Sequence, residues 1–324
     1  MKGGSKKKRM KVGSKKKRKW IALLEYGAVY AIILAGRSIP LKAARIISNF
    51  LGDLLYFLVR RRRRIAIENL EHAFGRHKTG KEVRAIARRS CRSAIHTFLE
   101  MIKFHDLFAS PDILDHLRKA TANLSALFLK AKKIHDQAGG CIFVTPHFGN
   151  WEILPHVSSV VGIPLVVVVR PLDNPYLEKL LFGSRAATGQ MIIPKRNAFF
   201  ALQKTLMQKK SIGMLPDQGT NKGISINFFG REARTTPVPA ILAITYQRPI
   251  IVVACCRMPE HEKYEGFVSD PIWPGEFTSE KAEIFRLTQE ITRQMEAIIS
   301  KYPEQYLWIH NRWKSYEGTR QVMG

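Results

Sequence analysis

The chain has 324 residues, 45% of them hydrophobic, which is enough for one large domain with a substantial core plus an appendage. Its formal net charge of +27 makes negative partners or a negative surface the expectation. Cys91, Cys141, Cys255 and Cys256 have no metal-ligand spacing, and the adjacent pair is poor disulfide geometry; this speaks against a zinc scaffold or a disulfide-stapled secreted domain.

Residues 1–19 carry eleven Lys or Arg and no acidic residue, leaving +16 for the rest of the chain. Such a run reads as a solvated, disordered tail able to meet an anionic surface. Lys6-Lys7-Lys8-Arg9 and Lys15-Lys16-Lys17-Arg18-Lys19 also fit nuclear import or nucleic-acid binding, but no aromatic ladder or reader-module motif accompanies them, and no nucleic-acid partner is expected. Residues 20–35 are then apolar except for Glu25, and residues 39–59 form a second, more broken apolar stretch. The first is short of the roughly 20 residues needed to cross a hydrocarbon core. The tail lies before these stretches and Arg60-Arg61-Arg62-Arg63-Arg64 just beyond them, and both basic clusters favour the cytoplasmic face. A single crossing would strand one of them, so monotopic or re-entrant anchoring is predicted, with a single span as the alternative. No small-residue cleavage site stands out before Arg37, and a cleaved signal peptide is not expected.

Residues 60–138 read as helical, with clear 3.6-residue periodicity over 83–104 and a weaker one over 112–134. From residue 141 the character changes. Apolar runs at 141–145, 163–169, 212–215 and 250–255 alternate with helix-like stretches at 175–187, 198–209 and 238–246, and a final helix runs over about 279–300. This alternation predicts an α/β fold with a largely parallel central sheet flanked by helices, preceded by an N-terminal membrane-anchoring helical segment.

The run Cys141-Ile142-Phe143-Val144 leads into Thr145-Pro146-His147-Phe148-Gly149-Asn150-Trp151-Glu152, so His147 is predicted at the carboxyl end of a strand, where open α/β sheets keep their ligand sites. On one continuous helix residues 147 and 152 would point about 140° apart, so the pair must straddle a loop-to-helix junction. With a helix starting near Asn150, Glu152 would lie in its first turn, close to free N–H groups able to hold an anion. Pro155 is compatible with that start. A neutral His147 can then take a proton from an attacking hydroxyl while Glu152 orients the imidazole or stabilises its charged form, help of a kind that contributes roughly 10²–10⁴-fold. Arg170 ends the run 165–169 at the same sheet edge and can bind a phosphate or carboxylate bidentately, an ordinary ion pair being the competing reading. Asp217 follows 212–216 in the same way, either to position substrate or to shape an Asx turn into Gln218-Gly219. Arg185 and Lys195 are weaker candidates for acidic groups, and Asn150 joins Arg170, Arg185 and Asp217 as a candidate substrate contact. His310 reads as a structural hydrogen-bonder, and Cys141, Cys255 and Cys256 as buried small hydrophobes. No HxxE or HxH cluster appears, and neither metal nor cofactor is expected.

The spacing from His147 to Glu152 resembles the His-x-x-x-x-Asp/Glu signature of glycerolipid-type acyltransferases, and HFGNWE resembles the late, or secondary, acyltransferases of lipid A synthesis. Other blocks resemble that family in its order: Arg64-Ile65-Ala66-Ile67-Glu68-Asn69-Leu70 with Ala73-Phe74; Arg170-Pro171 with Asn174-Pro175; Arg185, Gly189 and Ile193-Pro194-Lys195; Pro216-Asp217-Gln218; Phe228-Phe229-Gly230 with Thr235-Thr236-Pro237; and Trp308-Ile309-His310-Asn311-Arg312-Trp313-Lys314. The resemblance runs from about residue 20 to residue 314. It implies a fatty acyl donor on acyl carrier protein and a hydroxyl of a Kdo-lipid IVA-type precursor as acceptor, joined by direct transfer at the cytoplasmic face of the inner membrane. Acidic carrier protein and polyanionic lipid both suit the basic balance. The implied division is a basic tail 1–19, a membrane-associated helical segment 20–59 and a catalytic domain 60–324. A helix N-terminus or Arg170 would steady the oxyanion. Residues 227–230 and 235–236 resemble a second ligand-lining loop, with core packing of the paired aromatics as the alternative. Another acceptor, such as a lysophospholipid or phosphoinositide mannoside, is the near competitor. A non-catalytic membrane-surface binding protein is the distant one.

Overall fold

Residues 141–144 become the middle of a six-stranded sheet because neither face of that run is left to water. The computed structural model describes residues 19–108, 112, 124–169, 171–187, 191–194, 198–258 and 263–314. Strands β1 (Ile142–Val144), β2 (Leu165–Val169), β3 (Met191–Pro194) and β4 (Ser211–Met214) precede a separate antiparallel hairpin of β5 (Ile224–Phe228) and β6 (Arg231–Thr235); β7 (Ile250–Arg257) and β8 (Tyr264–Val268) return to the main sheet. The main order is β3-β2-β4-β1-β7-β8, parallel except for β8, which runs antiparallel to β7.

Side chains alternate between two cores. Ile142, Val144, Ile250, Val252 and Ala254 pack with helices α3 (Arg60–Phe74), α4 (Gly80–Phe108), α9 (Val238–Tyr246) and α10 (Glu280–Lys301), while Phe143, Ile251, Val253 and Cys255 pack on the other face with α5 (Leu124–Ala138) and α6 (Leu154–Val160). A strand covered on both faces reads as a continuous apolar run, which is why these strands are legible in the sequence. Cys255 and Cys256 fall on opposite faces, and burial pushes the thiols of Cys141 and Cys256 up to about 12. The remaining helices of the domain are α7 (Pro175–Ala187) and α8 (Ala198–Met207). The parallel α/β sheet thus agrees with expectation, while β3, the β5–β6 hairpin and β8 are additions that the alternation did not announce. The weaker periodicity over 112–134 resolves into α5, which starts at Leu124; of the rest, only residue 112 is described.

At the N-terminus, α1 (Lys19–Ser38) and α2 (Leu41–Leu58) meet at Pro40. Among the described residues α1 is the one helix long and apolar enough to cross a membrane by length and composition. It is nevertheless docked on the domain near both ends. The Asn174 amide donates to the Ala22 carbonyl at 2.8 Å, and Gly36 lies against Ile102. Helix α2 packs on α4 at Gly52, where a Cβ would fall 2.4 Å from the Cα of Arg92, and Asp53 accepts from Arg88 at 2.7 Å and Arg92 at 2.6 Å. Those two guanidinium groups hold its carboxyl far below the usual range. The opposite side of α2 exposes Ile46, Phe50, Leu54, Phe57 and Leu58.

Candidate active site

Strand pairing, not sequence proximity, assembles the site. β1 and β4 are neighbours in register Val144↔Met214, locked by Thr145 N–H donating to the Met214 carbonyl at 3.1 Å. A proline stands two residues beyond each, Pro146 and Pro216, and with no N–H to give, both chains leave the ladder at the same level. One residue further lie His147 and Asp217.

Asp217 is 5% exposed and takes both donors His147 offers. The His147 backbone N–H donates to Oδ2 at 2.8 Å and the ring Nδ1–H to Oδ1 at 2.7 Å. On the far side of the ring, the Gln218 amide donates to Nε2 at 3.2 Å. These partners select the neutral tautomer protonated at Nδ1, with its lone pair on Nε2. Burial by itself would depress the imidazole. The charge and hydrogen bond of Asp217, helped by the charge of Glu152, outweigh it and raise His147 above its ordinary value. Asp217 is correspondingly held low: burial pushes it up, but His147 and then Arg312 pull it down further.

This narrows the expectation for Glu152. The carboxylate on Nδ1 is Asp217, while Glu152 lies in the 3-10 turn Trp151–Ile153 and acts on His147 through its charge, which favours the imidazolium. Asp217 thus stands directly beside His147 and fixes the orientation of its ring. The helical start expected near Asn150 is present, as that 3-10 turn with Asn150 at its N-cap position and Glu152 in its first turn, followed by α6 with Pro155 in its first turn.

The loop between is fastened at every residue. The His147 carbonyl accepts from Leu307 N–H at 3.0 Å, Phe148 N–H donates to Pro146, Gly149 N–H to Gln305, and Asn150 N–H to Cys255 at 2.8 Å. Gly149 has φ +59°, and a Cβ there would sit 2.1 Å from the Cys255 carbonyl, so only glycine fits. The N–H groups of 147–150 are thus all engaged in holding the loop. Asn150 is 1% exposed and its amide donates to Glu100 Oε2 at 2.9 Å, while its Oδ1 has no hydrogen-bond partner among the described residues.

Behind the loop lies a buried polar cluster that spacing did not reveal. Glu100 accepts from Asn150, from Arg257 Nε at 2.9 Å and from the Tyr264 hydroxyl at 2.5 Å, while Arg257 also donates to Thr97, whose hydroxyl donates to the Gly149 carbonyl at 2.7 Å. Burial would raise Glu100, and the adjacent Arg257 charge brings it below its ordinary value; the Tyr264 phenol is driven well up by burial and by Glu100. One signal was present: Glu100 continues the buried stripe of Val83, Ala87, Ser90 and Thr97 on α4, and a carboxylate on a buried stripe requires a partner.

The scattered blocks converge on the same shell. Asn69 donates to the carbonyls of Trp308 and His310, both at 2.8 Å, and Arg312 donates to the Arg234 carbonyl at 2.7 Å and to the Thr235 hydroxyl. Phe228 is 1% exposed and packs against Tyr306 and Trp313, which settles the paired aromatics as core. His310 is lowered by burial; its Nε2 has no hydrogen-bond partner among the described residues, while its backbone accepts from Asn69 and donates to the Leu307 carbonyl. Asn174 caps α7, its Oδ1 accepting from Tyr176 N–H at 3.0 Å. Arg170 and Lys195 lie outside the described residues, as does the side chain of Arg185.

The His147–Asp217 pair stands at the carboxyl edge of a parallel sheet, where α/β enzymes keep their ligand sites. The profile of the bacterial lipid A biosynthesis acyltransferase family matches residues 10–315, and the chain belongs to that family and is an acyltransferase. It is 24% identical over 312 residues to the lipid A biosynthesis palmitoleoyltransferase of Escherichia coli (strain K12), covering 92% of each chain, and equally to the lipid A biosynthesis acyltransferase of Shigella flexneri. A phosphatidylinositol mannoside acyltransferase of Mycolicibacterium smegmatis is 23% identical over 183 residues, 55% of this chain and 58% of that one.

Proposed function

We propose that the protein transfers a fatty acyl chain from acyl carrier protein to a hydroxyl of a phosphorylated, Kdo-lipid IVA-type precursor at the cytoplasmic face of the inner membrane. The observation that carries the mechanism is the 2.7 Å bond from His147 Nδ1 to Asp217, which leaves Nε2 as the acceptor for the hydroxyl proton. The hydroxyl displaces the Gln218 amide from Nε2 and its oxygen attacks the thioester carbonyl as the proton passes to His147. The tetrahedral intermediate expels the thiolate, which takes the proton back from His147. Asp217 holds the ring and stabilises the imidazolium, the role first expected of Glu152, and Glu152 adds negative charge nearby. Arg170 remains the candidate for the oxyanion and Arg185 for an acidic substrate group.

Residues 20–59 are taken as the membrane-associated segment and residues 60–324 as the catalytic domain, with the basic tail 1–19 toward anionic lipid. Contacts of Ala22 and Gly36 near both ends of α1 favour a helix lying along the domain over one standing across the bilayer, since a span would have to break them. A second acceptor class is favoured by one observation, the partial likeness to a phosphatidylinositol mannoside acyltransferase.

The test is mass spectrometry of Kdo-lipid IVA after incubation with the protein and a panel of acyl carrier protein thioesters, beside His147→Ala. One added acyl chain, reduced by about 10²–10⁴-fold in the variant, is expected. No product from folded protein shifts the reading to phosphoinositide mannosides, and equal product from the variant removes His147 as the base.

A further inference from the structure

Four arginines outside the His147–Asp217 apparatus gather round one surface cavity. It has a volume of about 640 Å³ and is lined by Arg60, Arg61, Arg63 and Arg64 together with Glu68 and Glu71. Arg64 is 3.6 Å from Glu68 in a pair with both side chains more than half exposed, too weak in water to neutralise the cavity. Four arginines therefore line the cavity with two glutamates, Arg63 also reaching the Phe57 carbonyl at 3.5 Å, and a guanidinium fork matches two phosphate oxygens at once.

Its place in the fold gives the cavity a direction. It opens where α2 ends and α3 begins, with Val59 alone between them. Upstream, the exposed apolar side chains Ile46, Phe50, Leu54 and Leu58 recur every four residues along α2 and lead to it. On the inner side of α3, Arg62 donates to the Ile309 carbonyl at 3.1 Å and Asn69 to the carbonyls of Trp308 and His310. That segment carries His147, whose carbonyl accepts from Leu307 N–H at 3.0 Å. The His310 ring lies within the electrostatic reach of Arg62, Asp217 and His147 together. Helix α3 thus links the arginine cavity, at the end of the apolar stripe of α2, to the segment that holds His147.

On the lipid-acceptor reading given above, we infer that this cavity is a phosphate subsite: it grips the phosphoryl group of a lipid headgroup at the membrane surface while the α2 stripe lies among the acyl chains, so that a hydroxyl of that headgroup is delivered to His147. Any basic patch attracts an anionic bilayer, and the tail does so without selectivity. The arginine cavity is distinguished by its continuity with the stripe and with the segment under His147.

The test compares the full chain with Arg60→Gln/Arg61→Gln/Arg63→Gln and with a charge-matched control, Lys81→Gln/Lys263→Gln/Lys281→Gln, in flotation with phosphatidylcholine vesicles lacking or containing phosphatidic acid. Five of the six positions are exposed and Arg63 is half-buried, and unchanged melting temperatures will verify folding. At about fivefold per basic residue on an anionic surface, the arginine variant loses about a hundredfold in affinity for phosphatidic acid vesicles, and the control only a few-fold. The corresponding Arg→Lys triple, which keeps the charge and removes the forks, loses about tenfold. Equal losses in the arginine and control triples would overturn the subsite, and so would an Arg→Lys variant that binds like the unaltered chain. Inorganic phosphate is expected not to displace the protein from the vesicles; displacement would assign the cavity to a soluble phosphate and overturn the lipid assignment. Flotation requires no turnover, so its failure is distinct from a failure of the acyl-transfer reading, which the unaltered chain reports by mass spectrometry. With turnover, the arginine variant raises KM for the phosphorylated acceptor about a hundredfold at nearly constant kcat, and the dephosphorylated acceptor abolishes the difference.

Discussion

Residues 141–144 and the outer stripe of α2 are similarly apolar, yet Ile142 has no exposure and Phe50 is 66% exposed. In the first region both faces of the sheet are covered, and the loop that follows is tied by backbone bonds to β4, β7 and the segment 305–307. In the second only one side is covered, by α4, and a row of large side chains is left out, each worth about 1.5–3 kcal/mol on transfer out of water. The difference teaches that one region is finished by the protein itself while the other leaves a large apolar face for something else to cover. Enclosure gives the candidate catalytic corner its geometry; incompleteness leaves the N-terminal helices an open apolar face.

The sharpest way to break this contrast is within the corner. Asp217→Asn should lower kcat/KM by up to about 10⁴-fold, since the amide neither fixes the tautomer nor stabilises the imidazolium. A base must be neutral, so activity of the unaltered enzyme rises with pH through the raised value of His147, above 6.5. Removing the carboxylate that raises it moves this limb to lower pH. A pH–rate profile checks both; an unmoved limb in Asp217→Asn, with a moved one in Glu152→Gln, would return the orienting role to Glu152.

A comparable energy but a different readout belongs to the layer behind. Arg257→Met leaves the buried Glu100 carboxylate without its ion partner and should cost about 3–5 kcal/mol of stability by denaturant unfolding. Restoration by Glu100→Gln in the same chain is expected, because the neutral amide removes the uncompensated charge. Failure to restore would mean that the guanidinium, through Thr97, holds the loop independently of charge.

The smallest effect on folding is expected on the outer stripe. Phe50→Asp/Leu54→Asp should change unfolding stability by no more than about 0.5 kcal/mol per site, while binding to vesicles drops steeply. A large loss of stability with unchanged membrane binding would make the two regions alike after all.

How far the chain could be read from its letters differs between these regions. The strands β1, β2, β4 and β7 and the helices α7 and α9 were legible because buried runs and helical periodicity are local properties. So was the position of His147, a polar residue at the end of a buried strand. Strand β8 and the β5–β6 hairpin were not: Glu265 interrupts the first, and Arg231, Glu232 and Arg234 interrupt the second, masking the pattern. The extended α1 and α2 agree with the apolar N-terminal stretches, but Gly52 and Asp53, which look like breaks in α2, are its contact with α4.

The sequence by itself therefore determined the layered α/β architecture, the family and the residue that acts as candidate base. Only the tertiary structure decided which carboxylate serves that base. Glu152 is five residues away along the chain, whereas Asp217 is seventy. The register of two parallel strands, each ended by a proline, cancels that separation. It does so because hydrogen bonds between neighbouring strands fix distance across a crossover of any length, while spacing along the chain governs only what a single element can reach.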